Sequence, residues 1–172
     1  TGYLFYLKNE FINSFPNIDQ FEKASARHAW AAVINGEEPS SQVVFINNKE
    51  DNTRMEVTKA QEHYWGVHVN ILKENDITIP NKFYICASAN KNDILRIRID
   101  DQRMPTYFER INIEFPVSTE KTCNTYVITD EIQKIKKNNY NFKKNKITKV
   151  GLFMSPDSKA STFTIYDARF ID

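Results

Sequence analysis

The sequence predicts an all-β fold, an antiparallel β-sandwich or jelly roll, and three observations support that class. Most segments alternate apolar and polar residues with a period of two, which is typical of strands buried on one face. Turn-forming clusters such as "NGEEPSS", "ANKND" and "SPDSKA" separate these segments at near-regular intervals. Aromatic residues, which favour strands, make up 13% of the 172 residues. No linker-like composition or internal repeat interrupts the pattern, so we expect one domain over residues 1–172.

The strand pattern recurs along the whole chain after the first forty residues or so. The predicted strands are residues 41–48, 54–58, 64–71, 82–89, 93–100, 108–117, 147–155 and 161–171. The alternation is cleanest in "DILRIRID", where leucine and isoleucine alternate with arginine. Many short strands with little room for helices are typical of sandwiches and jelly rolls.

One short helix is expected among the strands, at residues 129–138 ("TDEIQKIKKN"). Thr129 suits its N-cap, and Ile132 and Ile135 would dock it on the sandwich. The basic, polar stretch that follows, residues 136–146, is either a solvated loop or a patch for an anionic ligand.

Bulk properties exclude several function classes. The net charge is +1, so the sequence lacks the basic excess that is typical of nucleic-acid-binding domains. It has no run of about 18 apolar residues, so we expect no membrane insertion, and its first residues do not resemble a signal peptide. Cys86 and Cys123 lack the spacing of a metal site. Cys86 is either a small core residue or the partner of Cys123 in a disulfide.

The sequence carries no motif of a known catalytic class. The patterns GxSxG, HExxH and the P-loop are absent. His63 and His68 would point to opposite faces of an extended strand, which argues against a shared metal ion. No spacing among the 22 acidic residues singles out the paired carboxylates of a glycosidase. We therefore expect no enzymatic activity.

The segment "YWGVHVNI" carries the strongest functional signal. Tyr64, His68 and Asn70 alternate away from its apolar face, and Arg96 and Arg98 do the same on a later strand. Flat aromatic rings suit the C–H faces of sugar rings, and planar polar side chains suit sugar hydroxyl groups. If the two strands share a surface, these residues form a carbohydrate-binding site; otherwise they are an ordinary solvated face.

Trp65, in the same segment, has two interpretations. Strand alternation places it in the core with Val67 and Val69. Gly66 beside it allows the alternation to break, which would turn the indole outward as a platform for a sugar ring. Of these two interpretations, we favour the outward-facing platform for a sugar ring. Trp30 is expected in the core.

Several motifs follow one another along the chain in an informative order. "YLKNEFIN" is similar to an opening "L-x-N-G-D-F", and "HAWAAVI" places a Trp before the next strand. A middle section from "DNTRMEVT" to "DILRIRI" is followed by "TYFERINIEFPV", and "ITKVGLFM … STFTIYDARF" ends the chain. This order resembles that of carbohydrate-binding modules of the family 4/9/16/22 type, which are galactose-binding-like jelly rolls. The resemblance covers most of the chain except about residues 118–146, which look inserted or divergent.

The resemblance implies a non-catalytic module that binds a polysaccharide or other glycan, with other modules of the same polypeptide as further partners. It also implies a secreted or cell-surface location. By position, Trp65 corresponds to a sugar-stacking Trp, His68 to a ligand-facing Gln, and Tyr107 to a Tyr near the start of its strand. A structural calcium ion (Ca2+) is implied as well, held by Glu10 and Asp167.

Two rival functions stay open beside glycan binding. The predicted ligand-binding residues are Trp65, Tyr64, His68, Asn70, Arg96, Arg98 and Tyr107. An edge strand or an exposed apolar patch in place of a groove would favour an adhesion or assembly domain with a protein partner. Two acids about 5–9.5 Å apart across a cleft would favour a glycan-active enzyme, whose carboxylates converge only in three dimensions.

Overall fold

The described part of the chain forms two five-stranded antiparallel sheets that share one core. The computed structural model describes residues 30–46, 54–70 and 79–172. The first sheet, which we call the front sheet, has the strand order β1 (Ala31–Ala32), β6 (Trp65–Asn70), β11 (Lys149–Met154), β8 (Asp93–Asp100) and β9 (Ile111–Val117). The second, the back sheet, has the order β10 (Thr122–Val127), β7 (Lys82–Ala89), β12 (Thr162–Ile171), β5 (Arg54–Lys59) and β4 (Ser41–Ile46). A short hairpin pairs β2 (Ile34–Asn35) with β3 (Glu38–Pro39).

The core follows from the alternation of apolar residues on each strand. Strand β8 buries Leu95, Ile97 and Ile99, and the neighbouring strands of the front sheet bury their apolar residues toward the same side. The back sheet contributes an inward row that includes Phe83 and Phe163, and both rows belong to one cluster of buried side chains. Trp30 joins this cluster as predicted. Burying such large side chains between two sheets supplies the main driving force of the fold.

The predicted all-β class is confirmed, and each predicted strand is present, β7 and β8 with the predicted ends and the others with adjusted ends. Strand β9 begins at Ile111, because a short 3-10 helix (Tyr107–Glu109) occupies the start of the segment predicted at 108–117. The last residues predicted for β4 and β6 lie outside the described residues. Strand β10 was not predicted, because it is a largely exposed edge strand without a buried, apolar phase.

The predicted helix is present as α1 (Ile128–Lys136), and Ile132 and Ile135 are buried as expected. The assignment of Thr129 as its N-cap is wrong. Val127 occupies that position and makes no side-chain capping hydrogen bond, whereas the Thr129 hydroxyl accepts a hydrogen bond from Asn81 Nδ2 (3.2 Å). Within the described ranges, no helix has the length and apolar character needed to cross a membrane.

The basic stretch at residues 136–146 is anchored, so a purely solvated loop does not describe it. The Tyr140 hydroxyl donates to both carboxylate oxygens of Asp101 (2.9 and 3.0 Å). The backbone N–H of Lys143 donates to the same carboxylate at 2.8 Å, and Phe142 between them is buried in the core. The segment therefore packs against the end of β8.

A disulfide bond joins Cys86 on β7 to Cys123 on β10. The two residues face each other in the ladder between these strands. This decides between the two interpretations of Cys86 and ties the exposed edge strand to the back sheet. Such a cross-link restricts the unfolded chain and so stabilises the folded state.

Candidate functional site

Two rows of residues cross the outward face of the front sheet. The first row runs over His68, Gly151, Arg98 and Asn112, and the second over Gly66, Phe153, Arg96 and Glu114. Each row takes one residue from β6, β11, β8 and β9, in that spatial order. Because neighbouring strands lie about 4.8 Å apart, each row is about 14 Å long.

Except for Gly66, the residues of these rows line a cavity of about 520 Å³, which we call the groove. Its lining also includes Val33, Asn35, Tyr64, Ile97, Tyr107, Arg110 and Ile113. The volume lies within the range of about 300–1,000 Å³ that is usual for ligand sites. Gly151 lies between His68 and Arg98 in the first row, so its lack of a side chain keeps the middle of the groove open.

An aromatic surface forms one part of the groove. Phe153 is half-buried on β11, and the exposed Tyr64 ring packs edge to face against it, with centroids 5.7 Å apart and planes at 77°. The guanidinium of Arg98 lies 5.7 Å from the centroid of the Phe153 ring. Gly66 is the cross-strand neighbour of Phe153, and a Cβ there would come within 2.8 Å of the Phe153 Cβ. The glycine thus makes room for the ring.

The segment before β9 forms the opposite rim of the groove and is tied down by groove residues. Arg110 donates from Nη2 to the carbonyl oxygen of Pro105 (2.9 Å) and from Nε to that of Thr106 (3.1 Å). Asn112 Nδ2 donates to the carbonyl oxygen of Tyr107 at 2.8 Å. These bonds hold the exposed Tyr107 ring at the rim, where it can reach a bound molecule.

The groove carries an excess of positive charge. Three arginines and a single carboxylate, that of Glu114, belong to its described lining. Arg96 Nη1 pairs with Glu114 Oε1 at 2.9 Å. Burial lowers the pKa of Arg110, and the nearby positive charge of Arg98 lowers it further. Arg98 and Arg110 therefore repel each other, whereas Arg96 is paired with Glu114.

His68 is neutral in this environment. Its burial, together with the positive charges of Lys149 and Arg98, lowers the pKa of His68 to about 4. A neutral imidazole has one donor and one acceptor nitrogen, so at neutral pH His68 can both donate to and accept from a ligand hydroxyl group.

The lowered pKa of His68 predicts a pH-dependent stability. The unfolded chain has an ordinary histidine pKa of about 6.5 and binds a proton first as the pH falls. The contribution of neutral His68 to stability is therefore fully present above pH 6.5 and is lost between pH 6.5 and about 4.

We expect the melting temperature of the wild type to fall more steeply between pH 6.5 and about 4 than that of His68→Gln, measured by circular dichroism. His63→Gln, at an exposed position, is the control and should keep the wild-type slope. Equal slopes for all three proteins would contradict the prediction.

Comparison with known proteins finds similarity at the level of structure. No protein-family model matches the sequence, and no curated protein does. The family 11 carbohydrate-binding module from Clostridium thermocellum, solved with a beta-1,3-1,4-mixed-linked tetrasaccharide, has a TM-score of 0.62 at 11% identity, over 92% of this chain and 94% of that chain. The family 11 module of the cellulosomal cellulase Lic26A-Cel5E of the same organism gives 0.57 at 14% identity, over 93% and 95%. An exo-beta-agarase gives 0.66 at 6% identity, over 92% of this chain and 25% of the agarase.

The chain has the fold of a carbohydrate-binding module. The resemblance read from the motif order is confirmed at this level. The sequence identities are too low to assign a ligand by similarity, so the chemistry of the groove has to be judged from the chain's own residues.

The structure brings most of the predicted site residues of the chain together. The members of the predicted set that line the groove are Tyr64, His68, Arg96, Arg98 and Tyr107. Strands β6 and β8 are not direct neighbours, but β11 lies between them and joins their outward faces into one surface. Asn70 is exposed on the same face of β6, one step beyond the described lining of the groove.

The prediction that Trp65 is a sugar platform is wrong. Its side chain is fully buried, its ring packs against Phe163 with centroids 5.2 Å apart, and its Nε1 donates to the Ser158 hydroxyl at 3.0 Å. The strand alternation does not break at Gly66, so Trp65 faces inward with Val67. The alternation alone predicted this position correctly.

The most prominent groove residue that the sequence reasoning missed is Phe153. It shares its strand phase with Lys149 and Gly151, opposite to the buried Val150 and Leu152. An aromatic residue on the polar phase of a strand indicates a candidate binding residue, and the sequence carried this signal for Phe153. Arg110, Asn112 and Glu114 alternate with the buried Ile111 and Ile113 and so face outward, but their adjacency to β8 depends on the sheet order.

Only one of the two proposed calcium ligands, Asp167, belongs to the described residues. Glu10 lies outside the described residues. Asp167 is on β12, where a bulge shifts the register between Ile165 and Asp167, and its Oδ2 lies 3.1 Å from Arg169 Nε. A carboxylate paired with a guanidinium is a poor fit to a calcium ion, and the described residues contain no group of three or more candidate metal ligands. The calcium site stays a prediction that depends on Glu10.

Proposed function

We propose that this chain is a non-catalytic module that binds a polysaccharide or other glycan in the groove of its front sheet. The observation that carries the proposal is the pairing of an aromatic surface, Phe153 with Tyr64, and a row of planar polar side chains at its edge. Sugar rings require both features, an apolar plane for their C–H faces and hydrogen-bonding groups for their hydroxyls. The fold shared with a module solved with a tetrasaccharide supports the same function.

The carboxylates of the groove support a binding role over hydrolysis. Glycoside hydrolysis usually requires two carboxyl groups across the cleft. The described lining contains one, Glu114, and it is engaged by Arg96 at 2.9 Å. The module would therefore hold its glycan without cleaving it, and a catalytic activity would reside in other modules of the same polypeptide.

The disulfide supports a secreted or cell-surface location. Disulfides such as Cys86–Cys123 persist in oxidising environments, which include the extracellular space. Structural polysaccharides are large and would be encountered outside the cell, so an extracellular location is consistent with a polysaccharide ligand.

Affinity electrophoresis against a panel of soluble glycans tests the proposal. We expect the wild type to be retarded by at least one glycan. Phe153→Ala should lose about tenfold or more in affinity, because stacking of a flat ligand on an aromatic side chain contributes about 1–3 kcal/mol. Tyr166→Ala is the matched control, because Tyr166 is a half-buried aromatic residue on the back sheet with Lys121 Nζ 5.0 Å from its ring centroid. Circular dichroism checks that both variants fold.

Two outcomes would count against this assignment. If no glycan retards the wild type, glycan binding itself is refuted. If Tyr166→Ala loses as much retardation as Phe153→Ala, the groove is not the site.

A protein partner is the second candidate, and one observation favours it. Met104, Tyr107 and Phe108 lie close in sequence beside the groove and are 89%, 61% and 62% exposed. Exposed apolar patches often mark contacts with other proteins. The groove favours a glycan, because its lining places arginine, asparagine and histidine side chains beside aromatic rings.

A further inference from the structure

The charge of the groove exceeds what binding a neutral sugar chain requires. Three arginines and one glutamate belong to its described lining, which leaves a formal excess of two positive charges at neutral pH, where His68 is uncharged. The excess is local, because the whole chain has a net charge of only +1. Concentrating cations in one groove costs free energy through mutual repulsion, which a bound anion would relieve.

We propose that the glycan bound in the groove is anionic, and that Arg98 and Arg110 recognise its carboxylate or sulfate groups. This inference rests on the proposed function and narrows it to one class of glycan. Guanidinium groups present a planar fork of donors that matches the oxygens of carboxylate and sulfate, and the resulting hydrogen bonds are charge-assisted.

Arg98 is the better-placed of the two arginines. Its Nε is buried and has no hydrogen-bond partner among the described residues, although Asp100 Oδ1 lies 3.5 Å away. Its guanidinium also lies 5.7 Å from the centroid of the Phe153 ring. The Arg98 side chain lines the groove and is 24% exposed, so a sugar stacked on Phe153 would bring an acidic substituent next to the accessible part of this cationic side chain.

Asp100 balances only part of the charge of Arg98. It follows Arg98 on the same phase of β8 with its Oδ1 3.5 Å from Arg98 Nε, but its side chain is 2% exposed, so a ligand in the groove does not compete with it directly. Burial raises the pKa of Asp100, and the positive charges of Arg98, Arg110 and Lys149 oppose that rise. Arg110 has no carboxylate within ion-pair distance among the described residues and bonds to two backbone carbonyl groups. Arg110 thus keeps its charge for a ligand, and Arg98 keeps the part of its charge that Asp100 does not balance.

Matched pairs of glycans that differ only in charge test this inference by isothermal titration calorimetry. The carboxylate arm compares oligogalacturonate with its methyl-esterified form, and the sulfate arm compares a sulfated galactan with its desulfated form. We expect the charged member of one pair to bind about tenfold more tightly, the usual advantage of a charge-assisted over a neutral hydrogen bond. The arm that shows the preference identifies the acidic group, and the preference should shrink as salt is added.

Three variants connect the preference to the groove. Arg98→Gln and Arg110→Gln should each abolish most of it, and Arg98→Lys should retain only part, because an ammonium group lacks the planar fork. Arg54→Gln is the matched control: like Arg98, Arg54 pairs with a carboxylate two residues along its own strand, but it lies on the back sheet. It should leave the preference unchanged.

The outcomes separate the two proposals. Equal affinity for charged and neutral members overturns the anionic preference and keeps glycan binding. A preference that Arg54→Gln reduces as much as Arg98→Gln is non-specific and also overturns it. If neither charged nor neutral glycans bind, both proposals fail.

Discussion

Replacing Trp65 by alanine is expected to lower the free energy of unfolding by about 3–5 kcal/mol, the usual cost of deleting a large buried aromatic side chain. The indole is fully buried, it packs against Phe163, and its Nε1 hydrogen bond to Ser158 would be lost with it. Equilibrium denaturation in urea, followed by circular dichroism, measures the change. The folded fraction of the variant should retain its glycan affinity, because Trp65 lies on the opposite side of the sheet from the groove.

Tyr64→Ala is the control for this prediction, since it removes the adjacent aromatic residue from the outward face. Tyr64 is 55% exposed, so its loss should change the stability by less than about 1 kcal/mol, as for most surface substitutions. It should weaken glycan binding, because the ring lines the groove beside Phe153. A stable Trp65→Ala variant that fails to bind glycan would instead assign the platform to Trp65.

Strand alternation was enough to predict which side chains of β6 and β8 face outward, because it depends only on local backbone geometry. Tyr64, His68, Arg96 and Arg98 lie where the pattern places them. What alternation cannot predict is which strands are neighbours. The groove exists because β11, from the far end of the chain, lies between β6 and β8, and that pairing is a long-range property of the fold.

Gly66 shows how a local signal can be misread. A glycine in a strand can mark a break in alternation or a close approach of another group, and the sequence alone does not distinguish the two. Here it marks a close approach: Gly66 lies opposite Phe153, whose Cβ leaves no space for a second one. The correct interpretation required knowledge of the cross-strand partner, which lies 87 residues along the chain (153 minus 66).

Replacing Gly151 by leucine is expected to lower glycan affinity by at least about tenfold, or 1.4 kcal/mol, while the fold is preserved. Gly151 lies in the middle of the first row, between His68 and Arg98, so a leucine side chain would occupy the space that a sugar ring needs. The backbone accepts the change, because a Cβ at this position meets its nearest atoms, in Arg98 and Val67, at 3.9 Å, an ordinary van der Waals distance. Titration calorimetry with the glycan that retards the wild type most strongly measures the loss.

Two alanine variants turn this into a graded test. Gly151→Ala adds one carbon and should keep most of the affinity, so that the loss increases with the volume placed in the groove. Gly66→Ala should instead destabilise the protein by roughly 1–3 kcal/mol or more, because Gly66 has a φ of +157° and a Cβ there would overlap the Leu152 carbonyl oxygen. Larger side chains at position 151 would then reduce binding, whereas even one added carbon at position 66, on the adjacent strand, would reduce stability. Undiminished affinity in a folded Gly151→Leu variant would show that the glycan does not enter the middle of the groove.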